Sequence, residues 1–340
     1  MIKNKLSGWI VWVLIFSGAL IGICLFSLSV GSGGIFSFNE IINLFLRGRG
    51  STEYSIVFDI RLPRIILGFA IGGGLSLAGV ILQGLFRNPL VEPYTLGISG
   101  GAALGVCLNI ILQLKQKVGI ITIPLSGFLG ALTVIFLVYF LSKRRDKLKI
   151  PEMLLTGIMI SFISSSLIML IMALSRLEDL HGIVFWIMGS LEEPNWILIN
   201  IILLISILCL FISYFFSMDL NAFSLGEEEA LHLGVNIERT KKLLFLLASI
   251  VTGFSVSVGG VIGFVGLIVP HIIRIFVGTD HRILLICSFL CGGIFLIFCD
   301  TLARTVASPL ELPVGVITGI LGGSLLIYIL TKRKPISLSN

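Results

Sequence analysis

The chain contains 340 residues, of which 56% are hydrophobic and only 12% are charged, and its mean hydropathy is +1.09. A composition this apolar excludes a water-soluble fold and predicts an integral membrane protein. The net charge of +6 is dispersed over short polar intervals, so it does not indicate nucleic-acid binding.

Apolar segments of about 20 residues recur along the chain, and each could cross the hydrocarbon core as a helix. The first follows Lys3 and Lys5 but is too long for a signal peptide, so we expect it to be retained. The sequence predicts an all-α, polytopic fold in which residues 1–340 form a single transmembrane domain. The ten predicted helices are residues 10–30, 62–86, 94–114, 120–142, 152–174, 196–217, 242–258, 261–277, 283–304 and 313–330.

A polar corner at residues 81–101 separates the second and third predicted helices. It contains Pro89 and Pro93, and proline is poorly tolerated inside a helix. We therefore expect one helix to end near Phe86 and the next to begin near Tyr94.

The second half of the chain contains a relative of this corner. Residues 78–81 and Pro89 align without gaps with residues 259–262 and Pro270. A weak internal repeat of helix, glycine-rich kink and proline is typical of transporters built from two related halves.

The positive-inside rule gives a predicted orientation. With a cytoplasmic N-terminus and ten spans, both termini are cytoplasmic, and helices two to five are inverted relative to helices seven to ten. Sixteen of the 24 lysines and arginines then lie on the cytoplasmic side. They are Lys3, Lys5, Arg87, Lys143, Arg144, Arg145, Lys147, Lys149, Arg239, Lys241, Lys242, Arg274, Arg282, Lys332, Arg333 and Lys334.

The longest cytoplasmic loop, at about residues 218–241, includes a segment of helical composition between Gly226 and Gly234. Such a helix is not needed to span the bilayer. It is either a docking helix for a soluble partner or an amphipathic connector, and the residues alone leave both open.

Two signatures and this loop resemble the FecCD-type permeases, which import iron–siderophore complexes, haem and cobalamin in bacterial ABC transporters. The resemblance covers about residues 61–330, and it is specific for the family but not for the cargo. The matching positions are Arg61 to Arg64, Ala78, Gly79, Gln83, Arg87 to Leu90, Pro93, Leu96, Gly97, Gly101, Ala102, Leu225, Gly226, Ala230, Leu233 to Val235, Gly263 to Arg274, Asp280 to Arg282, Asp300, Arg304, Glu311 to Val316 and Thr318.

The resemblance implies the permease subunit of a binding-protein-dependent importer in the bacterial plasma membrane, rather than an enzyme. Its implied partners are a separate ATPase, an extracytoplasmic binding protein and a second permease copy, with a homodimer favoured. The ATPase would couple through Gly226, Ala230, Leu233 and Gly234. The chain has no phosphate-binding loop of its own, and neither a cofactor nor a resident metal is expected.

The resemblance also implies that Arg61, Arg64 and Arg304 receive carboxylates of the binding protein at the outer face. Interfacial snorkelling of arginine is the alternative, and Asp300, one helical turn before Arg304, could neutralise it locally.

Asn88 and Leu90 stand at the inner corner, where the family narrows its pathway, so they are predicted to form part of a cytoplasmic gate. Alternatively, Asn88 only caps a hydrogen-bonded turn before Pro89.

The competing function is an ion-coupled secondary transporter with inverted repeats, which would need ionisable residues in the middle of its helices. Only Asp300 and Arg304 are candidates, and both approach a helix end. Cys287 and Cys291 share a helix face but are interpreted as small buried hydrophobic residues, not as a metal pair.

Overall fold

The computed structural model describes residues 2–32, 34–48, 50–144, 147–148, 150–193 and 195–332. Four positions of the orientation prediction, Arg145, Lys149, Arg333 and Lys334, lie outside these ranges. The described α-helices are α1 (Ile2–Ser29), α2 (Phe38–Arg47), α3 (Thr52–Tyr54), α4 (Leu62–Phe86), α5 (Ile98–Ile111), α6 (Leu114–Val118), α7 (Thr122–Leu141), α8 (Ile150–Leu174), α9 (Leu177–Ile187), α10 (Trp196–Phe215), α11 (Ser217–Leu225), α12 (Glu227–His232), α13 (Ile237–Gly259), α14 (Val265–Val277), α15 (His281–Thr305) and α16 (Val314–Lys332).

Short elements complete the described part of the chain. A π-helical segment, Ser55–Arg61, joins α3 to α4, and a 3₁₀ turn, Pro93–Leu96, precedes α5. Two small antiparallel hairpins pair β1 (Val30–Gly31) with β2 (Gly34–Ile35) and β3 (Lys143–Arg144) with β4 (Lys147–Leu148).

Seven helical segments within the described residues are long and apolar enough to span a bilayer, and three shorter apolar helices lie among them. Together they correspond, one for one, to the ten predicted segments. The predicted all-α, polytopic fold is confirmed. The short three are Ile98–Ile111, Val265–Val277 and Val314–Ile329.

Several helices begin earlier than predicted because polar side chains cap them. The Asn236 side chain accepts a hydrogen bond from the Arg239 N–H at 3.1 Å, so α13 begins at Ile237. Asp280 caps α15 in the same way. The second span begins at Thr52, because α3 and the π-helical segment continue into α4.

The amphipathic helix α2 and the helix α9 are not among the predicted segments. The start of α2 has a capping box that was readable in the sequence. Ser37 and Glu40 each accept a hydrogen bond from the other's backbone N–H.

The helix packing has the predicted internal symmetry. Helix α4 packs against α15 as α13 packs against α7, and α4 packs against α14 as α13 packs against α5. The short helices α5 and α14 both follow a break in the chain. In each half, therefore, a long helix is followed by a broken one, and the two halves interlock.

The gapless residue alignment within this repeat was wrong in detail. Gly79 lies inside α4, whereas its aligned partner Gly260 lies just beyond the end of α13. Pro89 lies in the turn after α4, but Pro270 lies inside α14. The halves are related by helix order and packing, not by residue-for-residue equivalence.

Helix α4 forms the centre of the bundle and is buried along nearly its whole length. It crosses α14 closely at Gly79, where an added Cβ would overlap the carbonyl oxygen of Gly266. Only glycine permits this backbone approach, which brings the two halves into direct contact.

Candidate functional site

The two ends of α4 define the two ends of the bundle. Arg64 lies in its first turn, and we name this the Arg64 end. At the other end Gly84 lies against Leu220 and His281, and Arg87 approaches Gly226; we name this the Gly226 end.

Both described chain ends lie toward the Gly226 end. Trp9, near the start of α1, packs its ring 4.8 Å from the guanidinium carbon of Arg282, at the start of α15. Helix α16 begins at the Arg64 end, next to Glu311, and runs away from it. The described ends of α1 and α16 and the glycine-bracketed segment therefore lie toward the same end of the bundle.

A buried charge cluster occupies the Arg64 end. The Nε and Nη2 atoms of Arg64 donate to Oδ1 of Asp300 at 3.2 and 3.0 Å. Nε of Arg304 lies 3.0 Å from the other oxygen, Oδ2, of Asp300. The remaining nitrogen of Arg64, Nη1, donates to Oε2 of Glu311 at 2.6 Å. Two cations therefore face two carboxylates, and this match offsets the cost of burying them.

Arg61 does not join that cluster through any of its described bonds. Its side chain is 2% exposed and donates to the carbonyl oxygens of Leu28 and Gly34, at 2.6 and 2.7 Å. Its guanidinium also lies 5.0 Å from the centre of the Phe36 ring. Arg61 thus ties the end of α1 and the first hairpin to the second span.

Arg304 is also only 2% exposed, and its Nη2 donates to Ser27 of α1 at 2.8 Å. Of the three predicted docking arginines, Arg64 borders an open cavity of about 380 Å³. The cavity is lined by Asp59, Ile60, Pro63, Arg64, Glu192 and Glu193.

The breaks of the two halves are hydrogen-bonded to each other in the interior. Tyr94 accepts the Ile262 N–H at 3.1 Å, and the Glu92 carboxylate accepts the N–H of Phe264. Sequence reasoning missed Glu92 and Tyr94 as contacts between the halves, although both lie in the corner that it singled out.

Gln83 forms a third link between the halves. Its amide nitrogen donates to the carbonyl oxygens of Gly266 and Leu267, at 3.1 and 3.4 Å, and its oxygen accepts from Arg274. The end of α4 is thereby joined to both ends of α14.

The corner after α4 is a compact turn. Arg87 adopts a left-handed conformation, and Oδ1 of Asn88 accepts the N–H of Leu90 at 2.9 Å. Leu90 is 52% exposed at the Gly226 end. Asn88 therefore holds the turn, and Leu90 is the exposed apolar residue of the predicted gate pair.

The segment between Gly226 and Gly234 is helical, as predicted, over Glu227–His232. Both glycines have positive φ, 129° and 85°, and so separate α12 from its neighbours. Ala230 is fully buried, next to Ala222 and Phe223 of α11.

The outer face of this segment is mixed, with Glu228, Glu229 and His232 exposed together with two leucines. Leu231 and Leu233 are 61% and 64% exposed, and Leu225 is exposed beside them. Of the four predicted coupling residues, Leu233 faces outward, Ala230 faces inward, and the two glycines shape the backbone.

Polar contacts fasten the segment to the spans. Lys241 and Glu227 form an ion pair at 2.8 Å, which joins α12 to α13. Asn221 of α11 donates to Asp280 at 3.1 Å and accepts the His281 N–H at 2.9 Å. These contacts connect α12 to α13, and α11 to the start of α15.

Among the described residues, no group of three or more histidine, cysteine or acidic side chains is arranged to hold a metal ion. Cys287 and Cys291 are free thiols within α15.

Known proteins resemble this chain over most of its length. The sequence model of the FecCD transport family matches residues 19–332. The cobalamin import permease BtuC of Halobacterium salinarum is 38% identical, over 84% of this chain and 76% of its own. The hemin permease HmuU of Yersinia pestis is 38% identical, over 83% and 84%.

A solved structure agrees with these sequence matches. A chain described as a metal-chelate type ABC transporter in an inward-facing conformation superposes with a TM-score of 0.84 and 31% identity, over 94% of this chain and 99% of its own.

Proposed function

The chain belongs to the FecCD transport family, the permease components of ABC importers, and from this premise we propose that it imports an organic metal chelate, haem or a corrinoid. The main observation behind the proposal concerns the helix breaks before α5 and α14, which are hydrogen-bonded to each other. They lie between two ends of the bundle that have different surfaces. One end has the arginine cluster, and the other has a short helix between glycines that exposes leucines. A separate ATPase acts at the second end.

The Gly226 end faces the cytoplasm, with both termini on that side, in a plasma membrane. Arg87, Lys241, Arg274 and Arg282 all lie toward this end, as the positive-inside rule requires of a cytoplasmic face. Cysteine substitution at Leu233 tests the orientation, because an impermeant thiol reagent should label it only from the cytoplasmic side.

The ATPase binds the apolar face formed by Leu225, Leu231 and Leu233. Burial of exposed leucines in an interface is favourable, and amphipathic helices place such residues in apolar grooves of a partner. Gly226, Ala230 and Gly234 hold the helix in position, and the contacts of Asn221 pass its movement to α15.

The extracytoplasmic binding protein docks on the Arg64 end. Arg64, beside the open cavity, pairs with a carboxylate of that protein, while the buried Arg61 and Arg304 add positive charge behind it. Pairing of Arg64 with a carboxylate at the matching position favours specific association.

The pathway lies between this chain and a second copy. In α8 and α10, only 22% and 28% of the spanning window is buried within the chain, which leaves apolar surface for lipid and for a partner permease. Leu90, held by Asn88, forms part of the cytoplasmic gate.

Reconstitution in proteoliposomes tests the proposal. The permease, its ATPase and its binding protein are assembled, and uptake of a ferric siderophore, haem, cobalamin and molybdate is compared. Molybdate is included because the MolB permease of Haemophilus influenzae is 36% identical over 83% of this chain. Uptake of one chelate should require ATP and an intact ATPase. Uptake driven by an ion gradient without ATP would contradict the proposal and favour a secondary transporter.

A further inference from the structure

We propose that Glu311 is an internal placeholder on Arg64, which the carboxylate of the incoming binding protein must displace. The inference rests on the proposed docking at the Arg64 end and specifies how that surface is controlled. Before docking, the Glu311 carboxylate accepts a hydrogen bond from Arg64. After docking, the carboxylate of the binding protein accepts that bond instead.

Each nitrogen of Arg64 already faces a carboxylate. Nε and Nη2 are engaged by Asp300, and Nη1 is engaged by Glu311 at 2.6 Å. Nη1 and Nη2 each keep one further N–H, but the arginine is only 5% exposed, so a partner carboxylate gains close access to Nη1 when Glu311 moves aside.

The two carboxylates differ in how easily they can leave. The Asp300 side chain is 2% exposed, lies on α15 and is shared with Arg304, so it is fixed. The Glu311 side chain is 34% exposed and lies in the connection between α15 and α16. Its other described contact is a 3.5 Å hydrogen bond from the Ser32 hydroxyl. Glu311 can therefore swing out without unwinding a helix.

The charge around the cavity makes this exchange selective. Glu192 reaches within 3.6 Å of Arg64 Nη1, and Asp59 and Glu193 line the same cavity. With Asp300 and Glu311 balancing Arg64 and Arg304, the undocked surface is not a free cationic patch. A stray anion is repelled, whereas a carboxylate positioned by a matching protein surface can exchange with Glu311.

The binding test uses the permease–ATPase complex in nanodiscs and the binding protein encoded with it. Glu311→Gln should tighten binding about three- to tenfold, because a charge-assisted contact no longer has to be broken. Glu178→Gln is the control, because it removes one charge from an exposed residue of α9 that does not line the cavity. It should change binding less than twofold. Glu311→Ala serves if the glutamine variant fails to insert.

A chemical test needs no partner. Phenylglyoxal modification of Arg64, followed by mass spectrometry, should rise severalfold in Glu311→Gln and stay unchanged in Glu178→Gln. Unaltered Arg64 labelling, or binding that stays equal or weakens in Glu311→Gln, overturns the placeholder. Arg64→Glu separates the two proposals. If it binds normally, the docking proposal fails as well; if it binds weakly while Glu311→Gln shows no gain, only the placeholder fails.

Discussion

The two ends of the bundle present opposite kinds of surface. At the Arg64 end three arginines are buried: Arg64 and Arg304 pair with Asp300, and Arg61 bonds to backbone carbonyl oxygens. At the Gly226 end the charges fasten a short helix to the spans, and the leucines of that helix face outward. The first end is therefore preorganised by buried electrostatics, whereas the second offers exposed leucines on a short helix.

The largest expected effect comes from breaking the charge balance at the Arg64 end. Asp300→Asn leaves Arg64 and Arg304 buried without their shared carboxylate, so we expect a loss of about 3–5 kcal/mol in stability. A thiol-reactive dye in detergent would report this, because the chain has buried free cysteines that become accessible on unfolding. Glu192→Gln, an exposed neighbour, should change stability by less than about 1 kcal/mol. Equal losses of stability in the two variants would contradict the claim that the buried Asp300 pairs stabilise this end more than the exposed Glu192 does.

At the Gly226 end, the double change Leu231→Ser and Leu233→Ser should leave stability unchanged but weaken ATPase binding. Both side chains are exposed in the isolated chain, and each would bury apolar area against the partner. We expect a loss of about 2–4 kcal/mol of binding free energy, measured by co-purification and titration in detergent. Glu228→Gln on the same segment is the control, and an intact ATPase complex in the double variant would refute the docking face.

Substitution of Gly234 tests the same segment, and we expect a smaller effect on coupling. Its φ is 85° and nothing lies within 4 Å of an added Cβ, so backbone strain alone opposes substitution. Gly234→Val should reduce transport-coupled ATPase activity, at a conformational cost of about 1–2 kcal/mol, whereas Gly234→Asn should be tolerated because asparagine adopts left-handed conformations. Equal activity of the two variants would show that the turn does not constrain coupling.

The smallest expected effect is on the stability of the protein at low pH. Arg282, with help from Asn221, lowers the pKa of Asp280 below its usual range. A lowered folded-state pKa means that Asp280 contributes stability above about pH 4, and that this contribution is lost as the pH falls further. Melting curves between pH 7 and pH 3 should show a drop that Asp280→Asn reduces by less than about 1 kcal/mol. If the variant loses as much stability between pH 7 and pH 3 as the unchanged protein does, Asp280 does not contribute to the acid sensitivity.

Much of the fold was predictable because each span must satisfy its own backbone within an apolar solvent. That constraint makes apolar length a reliable signal, and all ten predicted segments have a counterpart helix. The helix between Gly226 and Gly234 was also predictable, since glycine marks helix ends locally. Helix α9 was missed because its composition, with Glu178 and Asp179 beside apolar residues, suits a loop as well as a helix.

The candidate site was predictable only as a set of residue types. The sequence placed Arg61, Arg64 and Arg304 together as three cations at one mouth, yet Arg61 bonds to the first hairpin, while Arg64 and Arg304 share Asp300. Those partners lie up to 236 positions apart in the chain, so no local pattern reveals them.

By itself, the sequence determined the membrane class, the number of apolar segments, the family resemblance and the glycine-bracketed helix. These depend on composition and on the conformations that neighbouring residues allow. Only the tertiary structure decided which arginines are buried, which carboxylates hold them and how the breaks of the two halves bond to each other. Those features depend on contacts between distant helices, where close approach at Gly79 and pairing of buried charges select one arrangement.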